Sequence, residues 1–188
     1  MLDQTKSITS SGNQVGYFRH QEIEEKHTGA ILITDQIGVP VEFKYTEPVV
    51  ATKLHKILYG SALEKYLRET VIRDRLGSEL KKIPQYFITT YDEKEFLNTL
   101  AGREMMAVQK CAVAPESGSF TRLRPREVIV ELKEDHIFLR LAFSTADEAV
   151  QLDMVEWLQT LSETMDVLEP LDRISSALTN ICGETKRV

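Results

Sequence analysis

The chain has 188 residues, 42% hydrophobic and 28% charged, enough for one packed core and ordinary for a globular protein. No run approaches the roughly twenty apolar residues of a membrane span, and a net charge of −6 argues against nucleic-acid binding by broad phosphate neutralisation. Cys111 and Cys182 form neither a CxxC pair nor a disulfide framework, so reduced buried thiols and a cytoplasmic location are expected.

Residues 1–14 are polar, rich in Ser, Thr and Gly, and read as a flexible N-terminal tail. They lack a basic stretch followed by an apolar one, so no secretory signal is expected. Gly16 to Lys26 is charged and ambiguous. Ala30–Thr34 and Val39–Tyr45 flank the turn Asp35-Gln36-Ile37-Gly38 and predict a β-hairpin, with Pro40 at a strand start or an edge. From Thr52, a plausible N-cap, Leu54, Ile57, Leu58, Leu63, Tyr66, Leu67 and Val71 follow a helical period, and Gly60-Ser61 marks a break.

Gln85–Thr90 predicts a short strand. A helix capped by Asp92 follows, then a strand over Met105–Val113. Pro115–Phe120 reads as a loop. Glu127–Lys133 and His136–Phe143 form a second hairpin around Glu134-Asp135. A long helix opens at Ser144 or Thr145, Pro170 breaks or kinks it, and a last helix runs to about Gly183. This order predicts an α+β fold: a mixed or mainly antiparallel sheet of two hairpins plus short strands, helices on one side, and a kinked C-terminal helical segment. The expected organisation is a single domain, with a core over 15–145 and a helical segment over 146–184 that packs on it or serves association.

No GxGxxG, GxxxxGK[ST], GxSxG or HExxH is present. Three constellations remain. His20, Glu24 and His27 would share one side of a helix as a metal site, whereas on a strand His27 turns away from His20 and the set is broken. Arg122, Arg124 and Arg126 recur every second residue, a candidate anion site or a charged edge that blocks strand pairing. Asp35 with Glu42-Phe43-Lys44 resembles the PD-(D/E)xK nucleases. That resemblance implies a divalent ion held by Asp35 and Glu42, with Lys44 stabilising charge on the attacked phosphate.

Eight acids and no Lys or Arg lie between Asp147 and Asp172. The apolar stripe of that region includes Met154, Trp157, Leu161 and Met165, candidate anchors for a partner. The main expectation is a non-catalytic interaction module or accessory subunit, without cofactor, that binds a protein partner or itself. A metal-dependent nuclease and a small-ligand sensor are the alternatives.

Overall fold

In the computed structural model, residues 14–116, 120–132 and 137–184 are described. Among these residues nine strands form one sheet: β1 (Val15–Ile23), β2 (Lys26–Thr34), β3 (Pro40–Tyr45), β4 (Val49–Val50), β5 (Phe87–Thr90), β6 (Met105–Cys111), β7 (Phe120–Arg124), β8 (Glu127–Glu131) and β9 (Phe138–Phe143). Their order is β3-β2-β1-β5-β6-β9-β8-β7, and the short β4 pairs with the start of β2. β1 runs parallel to β5, and β5 parallel to β6; the other pairings are antiparallel. The expected class, α+β with a mixed and mainly antiparallel sheet, holds. Both predicted hairpins form, as β2–β3 and β8–β9. The turn expected at Glu134-Asp135 lies outside the described residues.

The helices cover both faces of the sheet rather than one. Tyr17, Ala30, Leu32, Ile88, Met106 and Leu141 pack against α4 (Glu148–Ser162) and α5 (Glu169–Glu184). The alternate residues Phe18, Ile31, Ile33, Phe87 and Met105 pack against Ile72 and Leu76. These last two belong to a continuous helical segment made of α2 (Leu63–Tyr66), a π-wound stretch (Leu67–Asp74) and α3 (Arg75–Ser78). A strand buried on both faces loses the apolar–polar alternation that marks a half-buried one. This is why β1 could not be read from sequence: Val15, Gly16, Tyr17 and Phe18 are all buried, and polar residues follow them.

Asp147, not Ser144 or Thr145, caps α4, accepting from the Ala149 and Val150 amides. Pro170 sits in the first turn of α5, where a missing amide hydrogen costs nothing, so it starts that helix instead of kinking α4. Thr52 caps α1 (Lys53–Tyr59) as expected. α1 buries none of its residues: Leu54, Ile57 and Leu58 are 61%, 68% and 70% exposed. Among the described residues no helix is long and apolar enough to cross a membrane.

Tyr86 bridges the sheet to α4. Its ring meets Trp157 edge-on at 5.4 Å, and its hydroxyl donates to Asp153. Burial, followed by that hydrogen bond, pushes the Tyr86 phenol up to about 12, and burial also raises Tyr17. A phenol whose folded pKa is raised contributes stability below its unfolded value near 10, and loses it as pH climbs through the folded value. The urea midpoint is therefore expected to fall between about pH 10 and 12. Tyr86→Phe should flatten that fall; an equally steep fall in the variant would remove Tyr86 as its cause.

Candidate functional site

β1 and β5 are parallel neighbours whose chains leave in opposite directions, β1 into β2 and β5 toward β6. Such a divergence opens a crevice at the carboxyl ends of the two strands, the usual ligand position in parallel sheets. The paired register of β1 with β5 covers Gly16–Tyr17 against Phe87–Ile88, while β1 runs on to Ile23. Its second half therefore flanks a crevice of about 290 Å³, lined by Arg19, His20, Gln21, Glu22, Arg68, Asp92 and Glu93 among others.

Glu93 is turned inward by a short 3₁₀ helix (Tyr91–Phe96) that follows β5. The sequence predicts a helix capped by Asp92 there; the 3₁₀ turn has no side-chain cap, Asp92 stays exposed and Glu93 is buried. Both Glu93 and His20 are only 4% exposed. Glu93 Oε1 lies 2.6 Å from Arg68 Nη1 and 3.7 Å from His20 Nδ1. Arg68, from the π-wound stretch, also meets Glu64 at 2.9 Å and stacks over Phe96 at 4.6 Å. A buried carboxylate needs such a charged, hydrogen-bonding neighbour.

On the other side of His20, its Nε2 lies 3.3 Å from His27 Nδ1, and the rings stack at 5.5 Å. One of these two nitrogens must carry the hydrogen between them. The hairpin register makes the pair: His27 faces Glu22 and His20 faces Gly29, so the imidazoles are diagonal neighbours on one face. The expectation that a strand would part them is corrected, because they lie on two strands joined by a turn. Glu24 occupies that turn at φ 52° and is exposed. Among the described residues no three His, Cys, Asp or Glu side chains converge to hold a metal ion. Burial is the leading cause that holds the His27 imidazole below its usual value, so the ring is neutral near pH 7.

Three polar atoms of the crevice-lining residues are unsatisfied, Arg68 Nε among them. Arg19 Nε and Gln21 Oε1 are buried without a hydrogen-bond partner among the described residues. A buried guanidinium nitrogen without a partner is costly unless a ligand completes it.

The other sequence candidates do not meet at this crevice. Asp35 Oδ1 accepts from the Ile37 and Val39 amides at 3.1 and 2.9 Å and organises the β2–β3 turn. Glu42 accepts from the Lys81 and Lys82 amides, the latter at 2.9 Å. Both carboxylates serve backbone donors in separate places, and Lys44 pairs in register with Ile31 on the edge strand. A register shift between Arg122 and Arg124 breaks their two-residue period. Arg122 turns to Gln151 at 2.7 Å and to Glu148, while Arg124 and Arg126 are exposed. Met154 and Leu161 are buried in the protein's own core, and Trp157 and Met165 pack partly buried against it.

No family model matches the chain, and no curated protein matches it. Among solved structures it is similar to endonuclease V from Bacillus subtilis, at 10% identity over 74% of this chain and 71% of that one, with a TM-score of 0.39. It is also similar to endonuclease V from Ciona intestinalis bound to a 23mer DNA containing inosine, at 10% identity over 70% of each chain and a TM-score of 0.43. A third is Argonaute from Marinitoga piezophila with 5′ OH guide RNA, at 11% identity over 72% of this chain and 23% of that one, with a TM-score of 0.36. Likeness this loose assigns no activity. The expectation of a non-catalytic accessory subunit is nonetheless corrected: the matched structures include endonucleases, and two of the three hold nucleic acid.

Sequence reasoning named His20 and His27 and missed Arg19, Gln21, Arg68 and Glu93. The one available signal was the pair Asp92-Glu93 at the end of a predicted strand, where an acid has more than a capping role.

Proposed function

We propose that the protein is a phosphodiester hydrolase acting on a nucleic-acid strand, with its site in the crevice between the carboxyl ends of β1 and β5. The observation that carries the reading is one crevice at the free edge of β1 lined by Arg19, with its unpartnered Nε, and by the buried His20 and Glu93, with the half-buried His27 stacked on His20. Arg19 supplies the donor that a phosphate oxygen would complete. The imidazole pair supplies a base: a water oxygen attacks phosphorus as the pair takes the water's proton. The bond from phosphorus to the leaving oxygen breaks, and that oxygen is protonated by the imidazolium formed. Glu93, 3.7 Å from His20 Nδ1, stands behind the imidazole pair as an acid behind a catalytic base does. Glu22 and Asp92 are exposed at the rim. They are hard oxygen donors suited to a Mg²⁺ that arrives with the phosphate.

The surface beside the crevice suits a polymer. β4 pairs Val49 with His27 and Val50 with Lys26, so α1 begins next to the imidazoles. Residues 48–63 contain Lys53, His55 and Lys56 and no acid. Tyr59 and Tyr66 stack at 4.6 Å and are each more than a third exposed. Bases stack on such rings irrespective of sequence, while lysines follow the phosphates.

The test is cleavage of end-labelled single-stranded and duplex DNA and RNA in Mg²⁺, in Mn²⁺ and in EDTA. Cleavage with a divalent ion is expected. His20→Gln should lower kcat about 100-fold or more. Arg19→Gln, at a half-exposed position that can change without unfolding the chain, should raise KM more than it lowers kcat. Intact strands under every condition would overturn the reading, as would cleavage indifferent to both substitutions.

A further inference from the structure

β3 ends the sheet, and its outer side pairs with no other strand among the described residues. Its regular part alternates Val41, Phe43 and Tyr45 on one face with Glu42 and Lys44 on the other. The three apolar side chains are 43%, 39% and 50% exposed, and Phe43 lies 5.9 Å from Tyr45. Ile37 and Val39, at 67% and 51%, lengthen the stripe. Protected edges carry charges or prolines along their length. Here Pro40 blocks only the first position, where the register with β2 shifts, and the two charges on β3, Glu42 and Lys44, are of opposite sign.

The direction of the free backbone groups follows from the register. Thr46 donates its amide to Gly29 at 3.0 Å. In an antiparallel ladder, bonded pairs alternate with non-bonded ones. Lys44 with Ile31 and Glu42 with Ile33 are then the inward-bonded pairs. The amides and carbonyls of Phe43 and Tyr45 face outward, while Val41 is the extra residue of the register shift.

We infer that this edge is a homodimer interface in which β3 pairs antiparallel with β3 of a second copy, centred on Phe43. That register is self-complementary in three ways. The outward groups of Phe43 meet those of the second Phe43 as a doubly bonded pair, and Tyr45 of each copy lies opposite Val41 of the other. Apolar side chains meet across the two-fold axis. Glu42 falls opposite Lys44 of the second copy, and Lys44 opposite its Glu42, two opposite-charge pairs of the kind that stabilise facing strands. The Lys81 and Lys82 amides already fix the Glu42 carboxylate, so little freedom is lost in presenting it. A two-fold axis makes this contact close on itself, whereas an unrelated pair of edges would grow into a fibre. The crevice lies beyond β2 and β1 from this edge, so the inference stands apart from the proposed activity.

Sedimentation equilibrium of the intact chain tests it. A dimer is expected, and Phe43→Lys, which sets two ammonium groups face to face, should weaken it about thirty-fold. Lys44→Glu should do the same by placing an acid opposite each Glu42. Glu42→Lys alone should also be monomeric. An equimolar mixture of the Lys44→Glu and Glu42→Lys chains restores both opposite-charge pairs and should dimerise. Because Glu42→Lys loses its contacts to Lys81 and Lys82, its melting curve is recorded, and Phe43→Lys provides the independent arm. A monomeric intact chain overturns the inference, as does a dimer that Phe43→Lys and Lys44→Glu both leave unchanged, or a mixture that stays monomeric. Dimerisation only after removal of residues 1–13 would assign the edge to that segment and overturn it equally.

Discussion

Arg68→Met is expected to cost the folded chain about 3 kcal/mol or more, the range found when one partner of a buried ion pair is removed. Glu93 Oε1 sits 2.6 Å from the Arg68 guanidinium, and the side chains are 18% and 5% exposed. Methionine keeps the aliphatic stem against the helical segment but leaves the carboxylate with His20 alone, 3.7 Å away. The stacking of the guanidinium over Phe96 disappears as well. Urea unfolding measures the loss. Glu93→Gln added to Arg68→Met should recover part of it, because the second change removes the orphaned charge; contacting residues of this kind are non-additive. A loss under about 1 kcal/mol, or a double variant worse than the sum of the singles, would mean that the pair is not buried together in solution.

The same pair shows where sequence legibility stops. The hairpins, the break at Gly60-Ser61 and the helix after Thr52 are local events, written in turn residues, alternation and helical period. They formed where expected. β1 was illegible because a strand covered on both faces has no period to detect, and its polar half carries site residues in place of core ones. Arg68 looked like a surface charge balanced by Glu64, which it partly is. Only the docking of the helical segment on β1 and β2 brings it to Glu93, twenty-five residues later. His20 and His27 were visible, but their meeting depends on a hairpin register that neither residue encodes. The Asp35–Glu42–Lys44 spacing was legible too. Its first two members are used by the turn and by the amides of Lys81 and Lys82. The missing information was tertiary in each instance.

The docking of that helical segment depends on a glycine. A Cβ on Gly29 would lie 2.3 Å from Ile72 Cγ2 and 3.2 Å from the Arg19 carbonyl oxygen. Ile72 is fully buried between β2 and the π-wound stretch, so it has no free direction in which to retreat. Gly29→Ala would otherwise gain a few tenths to about 1 kcal/mol, since a strand interior disfavours glycine. Here the sign reverses: overpacking should destabilise by about 2 to 3 kcal/mol. Ile72→Ala removes the clashing methyl and opens a cavity with its own cost of about 2 to 5 kcal/mol. The double variant Gly29→Ala/Ile72→Ala should then be more stable than the sum of the two losses predicts, because one methyl fills the space left by the other. Arg68 lies one helical turn before Ile72, so a helix pushed off the sheet by Gly29→Ala withdraws the guanidinium from Glu93 at the same time. Gly29→Ala should therefore weaken the Arg68–Glu93 coupling in a double-mutant cycle. A neutral or stabilising Gly29→Ala would show that the helical segment does not sit against β2 at this distance.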